Sequence, residues 1–128
     1  MPSPSVLILG VPRAGKTTLA AKLGKQAGIS PRSTDELIGL GWHGASERAS
    51  SWLDDPGPWI VEGVAAVRAL RKWLRAPHAG APPFRIVWLG SPRLPLSERQ
   101  AHLATGTATI WREILPQLQR LRVPIEAP

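Results

Sequence analysis

The segment from Gly10 to Thr17 has residue types and spacing that suit the binding of a phosphate group. Glycines at its first and sixth positions permit backbone angles that a Cβ atom would obstruct, so the N–H groups can point inward around an anion. A helix that starts near Lys16 would present the positive end of its dipole to the same anion. Lys16 adds a positive charge, and the Thr17 hydroxyl is a suitable ligand for Mg²⁺.

This segment matches the Walker A pattern G-x-x-x-x-G-K-[ST], which brings Lys16 to the β- and γ-phosphates of a nucleoside triphosphate. The pattern is informative when a strand precedes it and a helix follows it, and the sequence predicts both. We therefore expect ATP and Mg²⁺ as cofactors, with Thr17 as a metal ligand. The predicted nucleotide-binding residues are Gly10, Pro12, Arg13, Ala14, Gly15, Lys16, Thr17 and Thr18.

Two carboxylates follow predicted strands and are candidates to act beside the phosphates. Glu62 comes directly after the apolar residues 59–61, a Walker-B-like arrangement that suits a metal ligand. Asp35 stands where the second strand should end, and a carboxylate there could accept the proton of an acceptor hydroxyl or hold Mg²⁺. The alternatives are a solvated strand end for Glu62 and a helix N-cap for Asp35.

Arginines are further candidates, because guanidinium groups stabilise the charge on a phosphoryl group in transfer. Arg93 and Arg99 follow the fourth predicted strand, Arg13 lies inside the Walker A segment, and Arg112 is further along the last helical region. A solvated helix face is the alternative for each of them. The predicted catalytic residues are Lys16, Asp35, Arg93 and Arg99.

Alternating strands and helices must position these residues. Continuous apolar runs predict buried parallel strands at 6–9, 59–61 and 84–89, and weaker signals predict short strands ending near Asp35 and at 122–126. Apolar residues at helical spacing predict helices at 16–27, 45–53, 64–75 and 97–121, the last bent or broken near Gly106 and Pro116. The structure of the glycine-rich segment 36–44 is left open, and 76–83 reads as a loop.

This order of elements predicts a parallel α/β sheet with crossover helices. Residues that act in such folds lie just beyond the carboxyl ends of the strands. The Walker A segment, Asp35, Glu62 and the loop after Leu89 all fall at such positions.

Length and composition limit the classes of protein to which the chain can belong. A chain of 128 residues predicts one domain over 1–128. The net charge of +7 suits an anionic partner such as phosphate or nucleic acid, although a GC-rich coding sequence would also raise the arginine content. The absence of Cys excludes a disulfide scaffold and a thiolate metal site. Neither a membrane-spanning run nor a secretion signal is recognisable, so we expect a cytoplasmic protein with no membrane partner.

Other patterns give weaker signals. His43, His78 and His102 are too scattered to predict a metal site. The six Trp residues are predicted to pack in and around the core, with base stacking as the alternative. The basic residues between Arg68 and Arg75 predict a solvated helix face, with contact to nucleic acid as the alternative.

With these motifs in place, the chain resembles the small P-loop kinases of the adenylate kinase and shikimate kinase type. Residues 10–18, 34–38, 60–64 and 93–100 carry the resemblance, and only the Walker A segment among them is specific. The resemblance implies a three-layer P-loop NTPase fold, with helices on both faces of a five-stranded parallel sheet in the order 2-3-1-4-5. It also implies a helical lid over the phosphates, with Asp35 as the acceptor-side carboxylate, Glu62 at the third strand and Arg99 as a lid arginine. The chain is shorter than typical members, so the acceptor stays open.

Three functions fit these expectations. The preferred one is an ATP- and Mg²⁺-dependent kinase for an unknown small hydroxyl or phosphate acceptor, for example a nucleoside or nucleotide. The alternatives are a P-loop ATPase without a small acceptor and a kinase of nucleic-acid 5′ ends, so nucleic acid is a possible but not a favoured partner. A GTPase switch is disfavoured because its N-K-x-D motif cannot occur in a chain without Asn.

Overall fold

The computed structural model describes residues 5–77 and 82–128, and strands alternate with helices along these two ranges. The strands are β1 (Val6–Gly10), β2 (Arg32–Ser33), β3 (Ile60–Glu62), β4 (Arg85–Leu89) and β5 (Ile125–Glu126). The α-helices are α1 (Lys16–Ala27), α2 (Gly41–Trp52), α3 (Ala66–Arg75) and α4 (Glu98–Arg120), and a 3₁₀ helix spans Thr34–Leu40. Part of the predicted loop 76–83, with His78, lies outside the described residues.

The five strands run parallel in one sheet of order β2-β3-β1-β4-β5. The predicted α/β class, the parallel pairing and the strand order 2-3-1-4-5 are therefore confirmed. Strand β1 is central, since its residues pair with β3 on one side and with β4 on the other. A strand in that position is buried on all sides, which explains its uninterrupted apolar sequence.

Side chains of β1 alternate between the two faces of the sheet and enter two hydrophobic cores. Leu7 and Leu9 lie in the larger core, together with apolar residues of α3 and α4. Val6 and Ile8 lie in the smaller core, which includes Ala20 of α1. Helices thus cover both faces of the sheet, and the ends of the strands stay open.

Tryptophans fill much of the larger core. Trp59, Trp73 and Trp111 are buried within it, and Trp52 and Trp88 pack against it. The rings of Trp88 and Trp111 stack with their centroids 4.8 Å apart. The predicted packing role is confirmed for these five, whereas the sixth, Trp42, is 42% exposed.

The long helix α4 has nearly the bounds predicted from the sequence, 98–120 against 97–121, and it is unbroken. It begins one residue after Ser97, whose side chain caps it in a capping box with Gln100. It then continues through Gly106 and Pro116 to Arg120 without interruption. Of the two alternatives predicted near Gly106 and Pro116, a bend or a break, the break is wrong, because the buried stripe that includes Ile110, Ile114 and Leu118 keeps packing on the core across the exposed proline. No helix within residues 5–77 and 82–128 is both long and apolar enough to span a bilayer.

The glycine-rich segment after β2 forms more helix than the sequence predicted. Ser33 caps the 3₁₀ helix by accepting a hydrogen bond from the Asp35 N–H, so the N-cap alternative considered for Asp35 belongs to Ser33. Helix α2 then begins at Gly41, four residues before the predicted start. At the next boundary, α3 begins at Ala66 instead of the predicted residue 64, because Val64 and Ala65 belong to the turn after β3.

Candidate active site

The segment between β1 and α1 lies at the carboxyl end of the central strand. A Cβ atom on Gly10 would come within 2.5 Å of the Leu89 carbonyl oxygen, so only glycine allows β1 and β4 to approach this closely. The Val11 N–H donates to the same carbonyl oxygen over 3.1 Å. Gly10 is thus a residue that shapes the segment, and it does not line the cavity described below.

The middle of this segment is braced by residues that follow β4. Arg13 has a φ of +60° and Gly15 one of +94°, so the chain turns through the left-handed region just before α1. The Arg93 N–H donates to the Arg13 carbonyl over 2.8 Å, and Arg13 Nη1 donates to the Pro95 carbonyl over 2.9 Å. These bonds hold the segment in a fixed curve before any ligand binds.

The guanidinium of Arg93 lies against Gly15, at the start of α1. A Cβ atom on Gly15 would stand 3.1 Å from Arg93 Nε, so the absence of a side chain leaves room for this contact. The positive end of the α1 dipole and the Arg93 charge therefore meet at one point. An anion such as a phosphate group would be stabilised there by both.

Lys16, the first residue of α1, is a buried cation. Its side chain is 7% exposed, and Nζ donates to the Val11 carbonyl over 2.7 Å. Burial lowers the pKa of Lys16 below its ordinary value, while the charges of Glu62 and Asp35 oppose that shift. An ammonium group has three donors, so Nζ can keep the Val11 bond and still donate to a phosphate oxygen.

Glu62, the last residue of β3, lies beside Thr17 of α1. Thr17 Oγ1 donates to Glu62 Oε1 over 3.4 Å, and Glu62 is only 2% exposed. Burial raises the pKa of Glu62 and the charge of Asp35 adds to the shift, against lowering by the Ser33 hydroxyl, the Lys16 charge and Thr17. Within the described part of the chain, Glu62 Oε2 has no hydrogen-bond partner. A buried acceptor without a partner is a candidate ligand for a cation or its water.

Asp35 and its neighbour Thr34 hold the turn that follows β3. Asp35 Oδ1 accepts from the Val64 N–H over 3.2 Å, and Thr34 Oγ1 accepts from the Ala65 N–H over 3.1 Å. Gly63 makes this close approach possible, since it has a φ of +134° and a Cβ atom there would overlap with the Thr34 hydroxyl. The carboxylate of Asp35 is thus fixed beside the carboxyl end of β3.

A cavity of about 460 Å³ collects most of the predicted site residues. These are Pro12, Arg13, Ala14, Gly15, Lys16, Thr17, Thr18, Asp35, Glu62 and Arg93. Three residues that the sequence analysis did not select also line it, namely Val64, Leu94 and Gln100. The convergence follows from the parallel sheet, which brings the carboxyl ends of β1, β3 and β4 to one edge.

Arg99 is placed elsewhere, in a second cavity of about 800 Å³. This cavity is lined by Ile38, Trp42, Val64, Glu98, Arg99, His102 and Leu103. Val64 lines both cavities, so the two adjoin at the turn after β3. Arg112 lines neither cavity and is exposed on α4.

Sequence reasoning missed the residues that hold Asp35 in place. Thr34 is fully buried and bonded across the chain to Ala65, a contact that no local pattern signals. Gly63 could have been selected, because a glycine directly after a strand-end carboxylate is typical of a tight turn. Ser33, as the cap of the 3₁₀ helix, has the residue type that favours such a cap.

Few side chains in this cavity could bind a metal ion directly. Within the two described ranges, no group of three or more His, Cys, Asp or Glu side chains could hold a metal ion by itself. Thr17 and Glu62 supply one hydroxyl and one carboxylate, which suits a cation whose other ligands are phosphate oxygens and water. His43 and His102 lie on different helices, and His78 lies outside the described residues.

Comparison with known proteins adds no family assignment to this geometry. No family model matches the chain, and a search of the curated proteins finds no significant match.

Proposed function

We propose that the chain has the P-loop NTPase fold and is an ATP- and Mg²⁺-dependent kinase of a small acceptor. The observation that supports this most is the convergence of Lys16, Thr17, Glu62 and Asp35 on one cavity at the carboxyl ends of β1 and β3. These side chains provide a phosphate-binding cation, two metal ligands and a carboxylate for the acceptor. A cytoplasmic location agrees with the use of ATP.

The triphosphate would bind at the start of α1. Backbone N–H groups of residues 13–17, the helix dipole and the Lys16 ammonium all favour an anion there. Desolvation of Lys16 is offset once phosphate oxygens surround its Nζ, so nucleotide binding would return the Lys16 pKa towards its ordinary range. Arg93, which lies against Gly15, would add a second positive charge near the same phosphates.

Thr17 and Glu62 are the residues that would hold Mg²⁺. The buried, unpartnered Oε2 of Glu62 fits this role, because a cation or its water would satisfy that oxygen. Mg²⁺ bound there would neutralise part of the phosphate charge. Thr17 Oγ1 and Glu62 Oε1 lie 3.4 Å apart on the side of the cavity where Mg²⁺ would bind.

The transfer step needs an acceptor hydroxyl beside Asp35. Its oxygen forms a bond to the γ-phosphorus while the bond from that phosphorus to the bridging oxygen breaks, and the electron pair leaves with ADP. The hydroxyl proton passes to the Asp35 carboxylate, whose position is fixed by the Val64 N–H. Most of the rate enhancement would come from positioning and charge stabilisation.

A pooled acceptor experiment tests this proposal. The protein is incubated with ATP, Mg²⁺ and a library of nucleosides, nucleotides, sugars and oligonucleotides, and products are identified by mass. We expect one acceptor class to gain a phosphoryl group and Lys16→Ala to lower that rate by about 100-fold or more. Lys25→Ala is the matched control, because it removes an exposed lysine from the same helix.

The other outcomes are informative. Release of ADP without a phosphorylated acceptor would overturn the kinase proposal in favour of an ATPase. Absence of ATP binding to the parent protein, with Lys16→Ala behaving identically, would overturn the assignment of the Gly10–Thr17 segment as a phosphate-binding loop.

A further inference from the structure

The second cavity adjoins the proposed phosphoryl-transfer site at one residue. Val64 lines both cavities, and its N–H donates to Asp35 Oδ1 over 3.2 Å. A molecule that fills the second cavity therefore ends beside the carboxylate proposed to receive the acceptor proton. The second cavity is thus a candidate binding place for the acceptor, next to the proposed triphosphate site.

The walls of this cavity include large apolar side chains that remain exposed. Ile38 is 44% exposed and Trp42 is 42% exposed. Val64 and Leu103 add to the same apolar lining. Exposed apolar surface collected in one concave site is typical of ligand binding, because a bound molecule removes that surface from water.

Trp42 is in contact with a cationic side chain of α3. The Arg68 guanidinium carbon lies 4.6 Å from the centroid of the Trp42 ring, within the range of a cation–π contact. Arg68 is itself half-buried, and in the described part of the chain its Nη1 has no hydrogen-bond partner. Contact with Arg68 orders the indole in advance, which favours a planar ring as its partner.

The polar groups of this cavity balance one another. Glu98 and Arg99 contribute one negative and one positive charge, and His102 is the remaining titratable group in the lining. Because Arg99 offsets Glu98, a phosphate or carboxylate on the acceptor would find no net positive charge in the lining, and Asp35 adds a negative charge at the junction. Arg68 is engaged with Trp42 and does not line the cavity. The charge pattern therefore favours an uncharged acceptor.

We propose, on the basis of the kinase function above, that the acceptor is a neutral, ring-bearing alcohol of about nucleoside size. Its ring lies against Trp42 and its hydroxyl points towards Asp35. The cavity volume of about 800 Å³ falls within the range of small-molecule sites. Ring-free alcohols would leave the apolar wall exposed, and monophosphates would bring a dianion into a cavity whose lining offers no net positive charge and adjoins Asp35.

Binding measurements by calorimetry test the inference without relying on turnover. Adenosine, guanosine and thymidine are compared with their 5′-monophosphates and with glycerol, with and without a non-hydrolysable ATP analogue and Mg²⁺. We expect at least one nucleoside to bind at least about tenfold more tightly than its monophosphate or glycerol. Glu98→Gln should then reduce the discrimination against that monophosphate.

Trp42 variants identify the cavity as the place of binding. Trp42→Ala should weaken binding of the nucleoside about tenfold or more, and Trp42→Phe, which keeps a ring, should restore most of it. Leu40→Ala is the control, because Leu40 is 57% exposed at the end of the 3₁₀ helix that directly precedes α2 and does not line the cavity. Circular dichroism of each variant shows that the fold is kept.

The outcomes separate this inference from the kinase proposal. ATP-dependent transfer to monophosphates or to ring-free alcohols, with no nucleoside binding, would overturn the inference and leave the kinase intact. Nucleoside binding that depends on Trp42, without any transfer, would support the inference about the cavity and overturn the kinase. Nucleoside binding that Trp42→Ala leaves unchanged would also overturn the inference.

Discussion

Glu62 combines a carboxylate, near-complete burial and an oxygen without a partner in the described part of the chain. Burial is the main cause of its raised pKa, and the Asp35 charge adds to it. A folded-state pKa above the ordinary value of 4.5 means that the native state binds this proton more tightly than the unfolded state. In the ligand-free protein, Glu62 therefore reduces stability once it is ionised.

The sign of this effect predicts a pH dependence for Glu62→Gln. As the pH rises from 4.5 through the raised pKa, the wild type should lose stability relative to the variant, by at most about 1.4 kcal/mol per pH unit. Above the raised pKa the difference should become constant. Urea unfolding of both proteins between pH 4 and 8 measures it.

A matched variant separates this effect from the general loss of a negative charge. Glu36→Gln removes an exposed carboxylate from the neighbouring 3₁₀ helix and is compared with Glu62→Gln over the same pH range. A stability difference for Glu62→Gln that stays flat from pH 4 to 8 would contradict the prediction.

At the scale of elements, the turn after β3 depends on Gly63. Gly63→Ala would place a Cβ atom against Thr34 Oγ1 and 2.9 Å from the Thr34 N–H nitrogen, at a φ of +134°. We expect destabilisation of about 3 kcal/mol or more, from backbone strain together with overlap in a packed site. Thermal or urea unfolding measures it.

Gly39→Ala is the control for that substitution. Gly39 lies in the 3₁₀ helix, and a Cβ atom there would meet no other heavy atom within 4 Å. Its effect should stay within about 0.5 kcal/mol, as is usual at unconstrained surface positions. Equal effects of the two substitutions would show that Gly63 is not a special position.

The elements also show what the sequence could predict and what it could not. Strands β1, β3 and β4 were recognisable because buried parallel strands are uniformly apolar, and their carboxyl ends locate Lys16 and Glu62 together. The continuity of α4 through Pro116 was not, because packing of its buried stripe outweighs the local cost of that proline. The support of Asp35 by Val64 joins residues 29 positions apart, beyond the reach of any local pattern.

The second cavity was also beyond the reach of local sequence patterns. Its lining comes from the 3₁₀ helix, α2, the turn after β3 and the start of α4. Arg99 was selected as a candidate near the phosphates, and the structure places it in this adjoining cavity. Trp42 was expected to pack with the other tryptophans, but it is 42% exposed on α2, which packs against α3 and the 3₁₀ helix.

For the whole molecule, the net charge of +7 raises the question of nucleic acid. The basic face of α3 is partly used within the protein. Arg71 Nη1 pairs with Glu113 over 3.2 Å, Lys72 Nζ lies 3.3 Å from His43 Nδ1, and Arg68 covers Trp42. Such internal contacts leave less of this charge for a phosphate backbone and favour a small acceptor.

Measurements over a series of salt concentrations distinguish a small acceptor from a nucleic acid. Between 50 and 200 mM salt, we expect transfer from MgATP to the small acceptor to fall less than about tenfold, because few charges change their surroundings in that step. Binding of a 5′-hydroxyl oligonucleotide through 6–10 phosphate contacts would fall by about 10³-fold or more over the same range. Transfer to such an oligonucleotide that exceeds transfer to every small acceptor, with this steep salt dependence, would contradict the prediction and favour a kinase of nucleic-acid ends.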